Sequence, residues 1–154
     1  LAARYQGKSA FEVARDLDGI FFPSSKVTLT DVSDGASNTF LFSELILVED
    51  KTRNDLRGRY SNPAHGNVFF STRRTPNTTE ADRHTWCGGP DAPRKAPCIQ
   101  LTNGSGLSVA TRSYHTGGVN ASKVDGSVHY IANDINPVVY RALGSRDGSE
   151  VAYE

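Results

Sequence analysis

The sequence predicts an α+β, mainly β fold: an antiparallel sheet with short flanking helices and a long loop excursion. Three observations carry that expectation. Val119 to Lys123 and Val128 to Ile131 flank Asp125-Gly126, a pair suited to the positive φ angles of a type I′ hairpin turn. Thr39 to Val48 is the longest apolar stretch and reads as a central strand. Gly 14 and Pro 7 among 154 residues, with 37% apolar side chains, describe a polar, turn-rich chain short of the composition of disorder. One domain, 1–154, is expected, because a chain of this length hides roughly two thirds of its surface on folding.

In chain order, Ser9-Ala10-Phe11-Glu12 has the form of a capping box and predicts a helix over 10–16. Ile20-Phe21-Phe22 reads as a buried strand stopped by Pro23, and Lys26 to Thr30 alternates polar and apolar like a half-buried strand. Asp31 to Asn38 is dense turn chemistry ahead of the apolar strand. From 49 to 106 the pattern dissolves into a loop-rich insertion in which only Asn67 to Phe70 reads as a strand. Order returns at Leu107 to Ala110 and the hairpin. Asn136-Pro137 then opens a helix through Leu143, with Gly144 as its C-cap. The predicted sheet therefore holds strands near residues 20, 28, 43, 121 and 129.

Lys+Arg 17 balance Asp+Glu 17, so no global field draws in nucleic acid or an anionic membrane. Arg73-Arg74 and Arg83-His84 are interrupted by Glu80 and Asp82 and read as a solvated loop face. No apolar run reaches the roughly 20 residues of a spanning helix. Cys87 and Cys98 flank Gly88-Gly89-Pro90-Asp91-Ala92-Pro93, where a loop-stapling disulfide fits an oxidising compartment. Zinc is the competing assignment, with His84 three residues before Cys87 but no fourth ligand.

No hydrolase, phosphate-loop or metalloprotease motif occurs, and no enzymatic role is expected. His115 reads as a structural pin on the Gly117-Gly118 bend or on Asp125, with metal or acid–base work as the alternative. Asp125 serves a turn, although a turn carboxylate can also bind calcium. Asp31, Asp34, Ser37 and Asn38 cap backbone groups, with a calcium or sugar site as the minority alternative. Glu44 lies inside an apolar run and needs a partner: turn amides or a cation such as Arg112, Arg141 or Arg146. Trp86 and Tyr60 in the long loop are the candidate sugar-binding face.

Three blocks carry a family resemblance. The first runs from Asp18-Gly19-Ile20-Phe21-Phe22-Pro23 through Asp34-Gly35-Ala36-Ser37-Asn38-Thr39 to Glu44. The second is His115, nine residues, then Asp125-Gly126-Ser127-Val128, and the third is Tyr140 to Gly148. Together they resemble planctomycete-type pilin-like proteins that carry domain of unknown function 1559 and a prepilin-type processing-associated H-x9-DG segment. The resemblance implies a pilin-like globular head and supplies no catalytic residues; no cofactor is expected apart from the calcium alternative. Such proteins carry a prepilin leader and a long apolar N-terminal helix, so a chain opening at Leu1 is expected to be the head alone, with membrane attachment only through an upstream helix. The implied function is a structural subunit of an exported pilin or pseudopilin-like filament or secretion-associated assembly, partnered by other protein chains. The alternative is an extracellular or periplasmic binding module for carbohydrate or another envelope component.

Overall fold

The computed structural model describes residues 18–22, 25–48, 54–60, 67–89, 92–102 and 106–148. The helix expected over 10–16 lies outside them. The fold is mainly β: the described residues hold strands β1 (Phe40–Ser43), β2 (Asp82–His84), β3 (Cys98–Gln100), β4 (Gly118–Lys123) and β5 (Val128–Ala132), followed by helix α1 (Pro137–Ala142). β1, β4 and β5 form an antiparallel sheet in that spatial order, and β2 and β3 form a separate parallel pair.

The hairpin forms in the expected place with Val119 opposite Ile131 and Ala121 opposite His129. Its turn is not type I′, since only Gly126 takes positive φ, at 85°, while Asp125 does not. Gly126 N–H donates to Lys123 O at 3.0 Å and Lys123 N–H to Ser127 O at 2.9 Å. That is a three-residue loop ending in a glycine bulge, the other common way to match strand twist.

Expected strands near 20 and 28 do not form. Residues 18–20 bend, and Lys26 to Thr28 is extended but unpaired before a 3-10 turn, Leu29–Asp31. Thr28 nucleates that turn: its N–H and its hydroxyl both donate to Asp31 Oδ2 at 2.7 Å. A local cap has replaced the ladder that alternation suggested. Asn67 to Phe70 is likewise turn and coil, and Leu107 to Ala110 contributes only an isolated bridge from Ser108 to Arg83. The long apolar run is strand only at its start; beyond Ser43, Ile46 and Val48 bury against Ala96 instead.

Within β1 a bulge sets Phe40 opposite Lys123 but Phe42 opposite Ser122, so the two rings leave on opposite faces. Phe40 joins Val119, Ala121, Ile131 and Tyr140 in the main apolar core, with Phe70, Ile135 and Leu143 against it. Phe42 stays 59% exposed and stacks on Phe21 at 5.3 Å. Helix α1 starts as expected, with Asn136 accepting from Val138 N–H at 2.8 Å and Pro137 at its first position. Its C-cap is Leu143, not Gly144, and Gly144 avoids the left-handed region. Glycine is required there because a Cβ would lie 2.2 Å from Thr72 Oγ1.

The stretch 54–113 is organised around charge. Arg57 is 2% exposed, donating from Nε and Nη2 to both oxygens of Asp55 at 3.0 and 2.7 Å and from Nη1 to Asp82 at 2.7 Å. Arg112 closes on the other side of Asp82 at 2.9 Å and donates to the carbonyls of Thr78, Glu80 and Lys95. Two buried cations thus meet two buried anions. Burial alone would push the Arg57 pKa down, but Asp55 and Asp82 outweigh it and raise it above the usual arginine value. The disulfide Cys87–Cys98 closes beside this cluster, where Gly88 N–H donates to Asp55 at 3.0 Å.

Candidate functional site

The motif residues fall into two junctions at opposite ends of β4. At the first, β1 gives out at Glu44, whose side chain takes over the pairing. Asn120 donates its backbone N–H to Glu44 Oε2 at 2.7 Å and its amide to Oε1 at 3.3 Å, while Glu44 N–H donates to Asn120 O at 3.3 Å. His115 Nε2 lies 3.0 Å from Glu44 Oε1, so this nitrogen carries the proton, because a carboxylate can only accept. Burial by itself would raise the Glu44 pKa; the Asn120 bonds and His115 outweigh it and hold the carboxyl below its ordinary 4.5. Its partners are therefore not the arginines expected from sequence. Arg112 offers Glu44 only its backbone N–H, to Glu44 O at 2.9 Å, and Arg146 donates to Gly19 O at 2.7 Å.

His115 is aimed by a knotted bend. Ser113 Oγ donates to Gly118 O at 2.7 Å and accepts from His115 N–H at 3.1 Å. Asn77, at φ 51°, accepts from Ser113 N–H and donates to Gly118 O and Asn133 Oδ1, and the Tyr130 hydroxyl donates to Thr116 O. Gly118 has no room for a side chain: a Cβ would sit 2.3 Å from Ile131 O. His115 pins Glu44 rather than the Gly117-Gly118 bend or Asp125. The six residues of β4 stand between His115 and the turn, a span on the order of 20 Å.

The second junction gathers pieces of all three sequence blocks. Asp34 Oδ2 accepts from Gly148 N–H at 2.8 Å, and Asp34 N–H donates to Arg146 O at 3.1 Å. Asn38 donates its amide to Asp34 O at 3.0 Å and its N–H to Gly35 O at 2.9 Å, with Gly35 at φ 98°. Thr39 Oγ1 lies 3.1 Å from Ser145 O, Asp125 N–H donates to Ala36 O at 3.1 Å, and Val124 N–H donates to Thr39 O at 2.9 Å. Ser37 stays exposed in this turn. Asp125 Oδ1 accepts from the hydroxyl and N–H of Ser127, at 2.7 and 2.9 Å, which hold its carboxyl below the usual range. Ser127 Oγ also lies 3.0 Å from His129 Nε2.

Among the described residues no three His, Cys, Asp or Glu side chains gather where they could hold a metal ion. The disulfide consumes both thiols of the zinc alternative, and His84 Nδ1 sits 3.1 Å from Trp86 N. Trp86 and Tyr60, the sequence-derived sugar face, are 44% and 88% exposed. Sequence reading missed the ionic cluster and the role of Asn120. A charged residue inside an apolar run was the signal for Glu44, but nothing comparable marks Arg57 or Asp82.

Among the described residues no helix is long and apolar enough to cross a membrane. No curated protein and no solved structure matches the chain. A family model described as protein of unknown function (DUF1559) matches residues 9–138, a span that takes in Glu44, the bend at His115 and the Asp125 turn. The chain belongs to the DUF1559 family of proteins of unknown function.

Proposed function

We propose that this chain is the globular head of an exported, pilin-like structural subunit. It works without catalysis, in assembly with other protein chains at the bacterial cell surface or in the envelope. One observation supports the reading above others: the motif side chains with chemical potential are spent on fastening. Glu44 and His115 bond each other across 3.0 Å, and Asp34 holds Gly148. Asp125 stitches its own turn. Exposed apolar side chains on the sheet, Phe42, Val128 and Tyr130, offer contact surface to neighbouring chains. A disulfide suits an oxidising, exported setting. The test is immunogold labelling of intact producer cells, with mechanical shearing of the surface fraction. Labelled filaments or envelope assemblies are expected; label confined to the cytoplasm overturns the proposal.

A second reading, a carbohydrate-binding module, is favoured by the exposure of Trp86 and Tyr60. It requires glycan binding that Trp86→Ala abolishes without moving the thermal unfolding midpoint. Unchanged binding in that variant rejects the site.

A further inference from the structure

We propose that the outer edge of β5 is a self-pairing edge, at which two copies of this chain join their sheets across a two-fold axis. β5 ends its sheet, with β4 on its inner side. Lys123 N–H donates to Ser127 O at 2.9 Å and Asn133 N–H to Gly117 O at 2.8 Å, so residues 127, 129, 131 and 133 turn their main-chain groups toward β4. Val128, Tyr130 and Ala132 therefore turn their N–H groups and carbonyls outward. Among the described residues only Ala132 O then finds a main-chain partner, Ile135 N–H at 3.2 Å. The row lies open: Val128 is 69% and Tyr130 54% exposed, and His129 and Ala132 are exposed beside them. Unpaired main-chain groups in a row are matched by an extended strand, which presents donors and acceptors at the same spacing.

The make-up of the edge points to a second copy as the occupant. Exposed edges are commonly shielded by lysine, proline or a bulge. Val128-His129-Tyr130-Ile131-Ala132 has no lysine and no proline, carries no fixed charge, and pairs with β4 without a register shift. Its β-branched and aromatic residues favour extended backbone. A two-fold axis at Tyr130 makes this edge complementary to itself. Tyr130 then exchanges main-chain bonds with Tyr130 of the partner subunit, and Val128 with Ala132 of the partner subunit, a larger side chain opposite a small one. The two rings do not collide, because each lies back over Gly118 of its own chain. A Cβ on Gly118 would fall 2.7 Å from Tyr130 Cζ, and the Tyr130 hydroxyl donates to Thr116 O. A strand without charge also meets its copy without like-charge opposition. The far edge of the sheet is a poor mate for β5: on β1, Phe40 N–H already donates to Leu143 O at 2.7 Å and Phe42 stacks on Phe21. Pairing of β5 with β5 is the contact left, and it closes at two chains. It deepens the structural role proposed above by naming a partner, yet it is measured on the purified chain without reference to the cell surface, so the two can fail separately.

The test is sedimentation velocity of the full chain from about 10 μM to about 1 mM, where a small interface assembles, with hydrogen exchange at both ends of the range. The weight-average mass is expected to rise from one chain to two and to stop there. Exchange at the Val128 and Tyr130 amides is expected to slow by about tenfold or more at the high concentration, while His129 and Ile131, already bonded to β4, change less. Val128→Lys with Ala132→Lys sets like charges opposite each other across the axis and is expected to weaken association by about tenfold or more. Val128→Lys with Ala132→Glu restores it, and Val138→Lys on the exposed side of α1 leaves it unchanged. A single chain throughout, with the Val128 and Tyr130 amides unprotected, overturns the proposal and leaves the edge to an extended segment of another protein. Growth beyond two chains, or association indifferent to the charge variants, overturns it as well.

Discussion

The sheet with α1 and the stretch 54–113 are two ways of making an interior. The first buries Phe40, Val119, Ala121, Ile131 and Tyr140 against one another. The second buries Asp55, Arg57, Asp82 and Arg112, with a disulfide at its side. An apolar core gains from every methylene and tolerates imperfect geometry. An ionic one is worth keeping only while complete, because desolvated charge without its partner costs more than the pair returns. The difference teaches where each interior is fragile: the first to lost volume, the second to a lost partner.

The largest expected effect is at Asp82, which accepts from both arginines and from Ala110 N–H. Asp82→Ala leaves the buried Arg112 without its carboxylate and Arg57 with Asp55 alone, and is expected to cost about 3–5 kcal/mol in urea unfolding. Phe40→Ala, the matching deletion in the apolar half, is expected to cost about the same, through a cavity. A loss below about 1 kcal/mol at Asp82, the range of an exposed ion pair, would break the comparison.

Reduction of Cys87–Cys98 should cost up to about 3 kcal/mol and should act unevenly. Hydrogen exchange is expected to quicken first at β2 and β3 while β4 and β5 keep their protection. Equal loss across both halves would show a single cooperative interior.

Next comes Tyr140, whose hydroxyl lies 2.7 Å from Thr111 Oγ1. Burial pushes its pKa up, partly countered by Thr111, to about 12. A raised pKa means stability that is complete below the unfolded value of roughly 10 and lost as pH climbs through the folded one. The wild type should therefore weaken between about pH 10 and 12 by up to about 2–3 kcal/mol, and Tyr140→Phe should lack that phase.

The pairing of Glu44 with His115 is half open to solvent, so Glu44→Gln is expected to cost no more than about 1 kcal/mol. The lowered pKa of Glu44 sets the sign. Its contribution is present above the ordinary value and disappears as pH falls through the folded one. Acid unfolding of Glu44→Gln against wild type measures it.

Legibility in the sequence follows the same division. The hairpin and α1 were readable because alternation around Asp125-Gly126, and Asn136-Pro137, are local signals within a few residues. Apolar runs at Ile20 to Phe22 and Asn67 to Phe70 look like strands but find no ladder, since pairing depends on distant chain. β1 stopped early because the Glu44 side chain captured the Asn120 N–H that a longer strand would have used. The ionic interior was illegible for a physical reason: charged residues read as solvated until partners 25 and 30 positions away are seen to enclose them. At the candidate site, sequence identified His115, Glu44 and the Asp34 turn as fastenings. Only geometry could say which of them fastens which.

The most direct test of the proposed role is intact mass and N-terminal sequencing of the natural protein, run oxidised and reduced. The proposal predicts a longer exported protein with an apolar helix upstream of residue 1, a methylated first residue, and an oxidised cysteine pair. A mature protein that begins at Leu1 with nothing attached, or one whose cysteines are reduced in the cell, would contradict it.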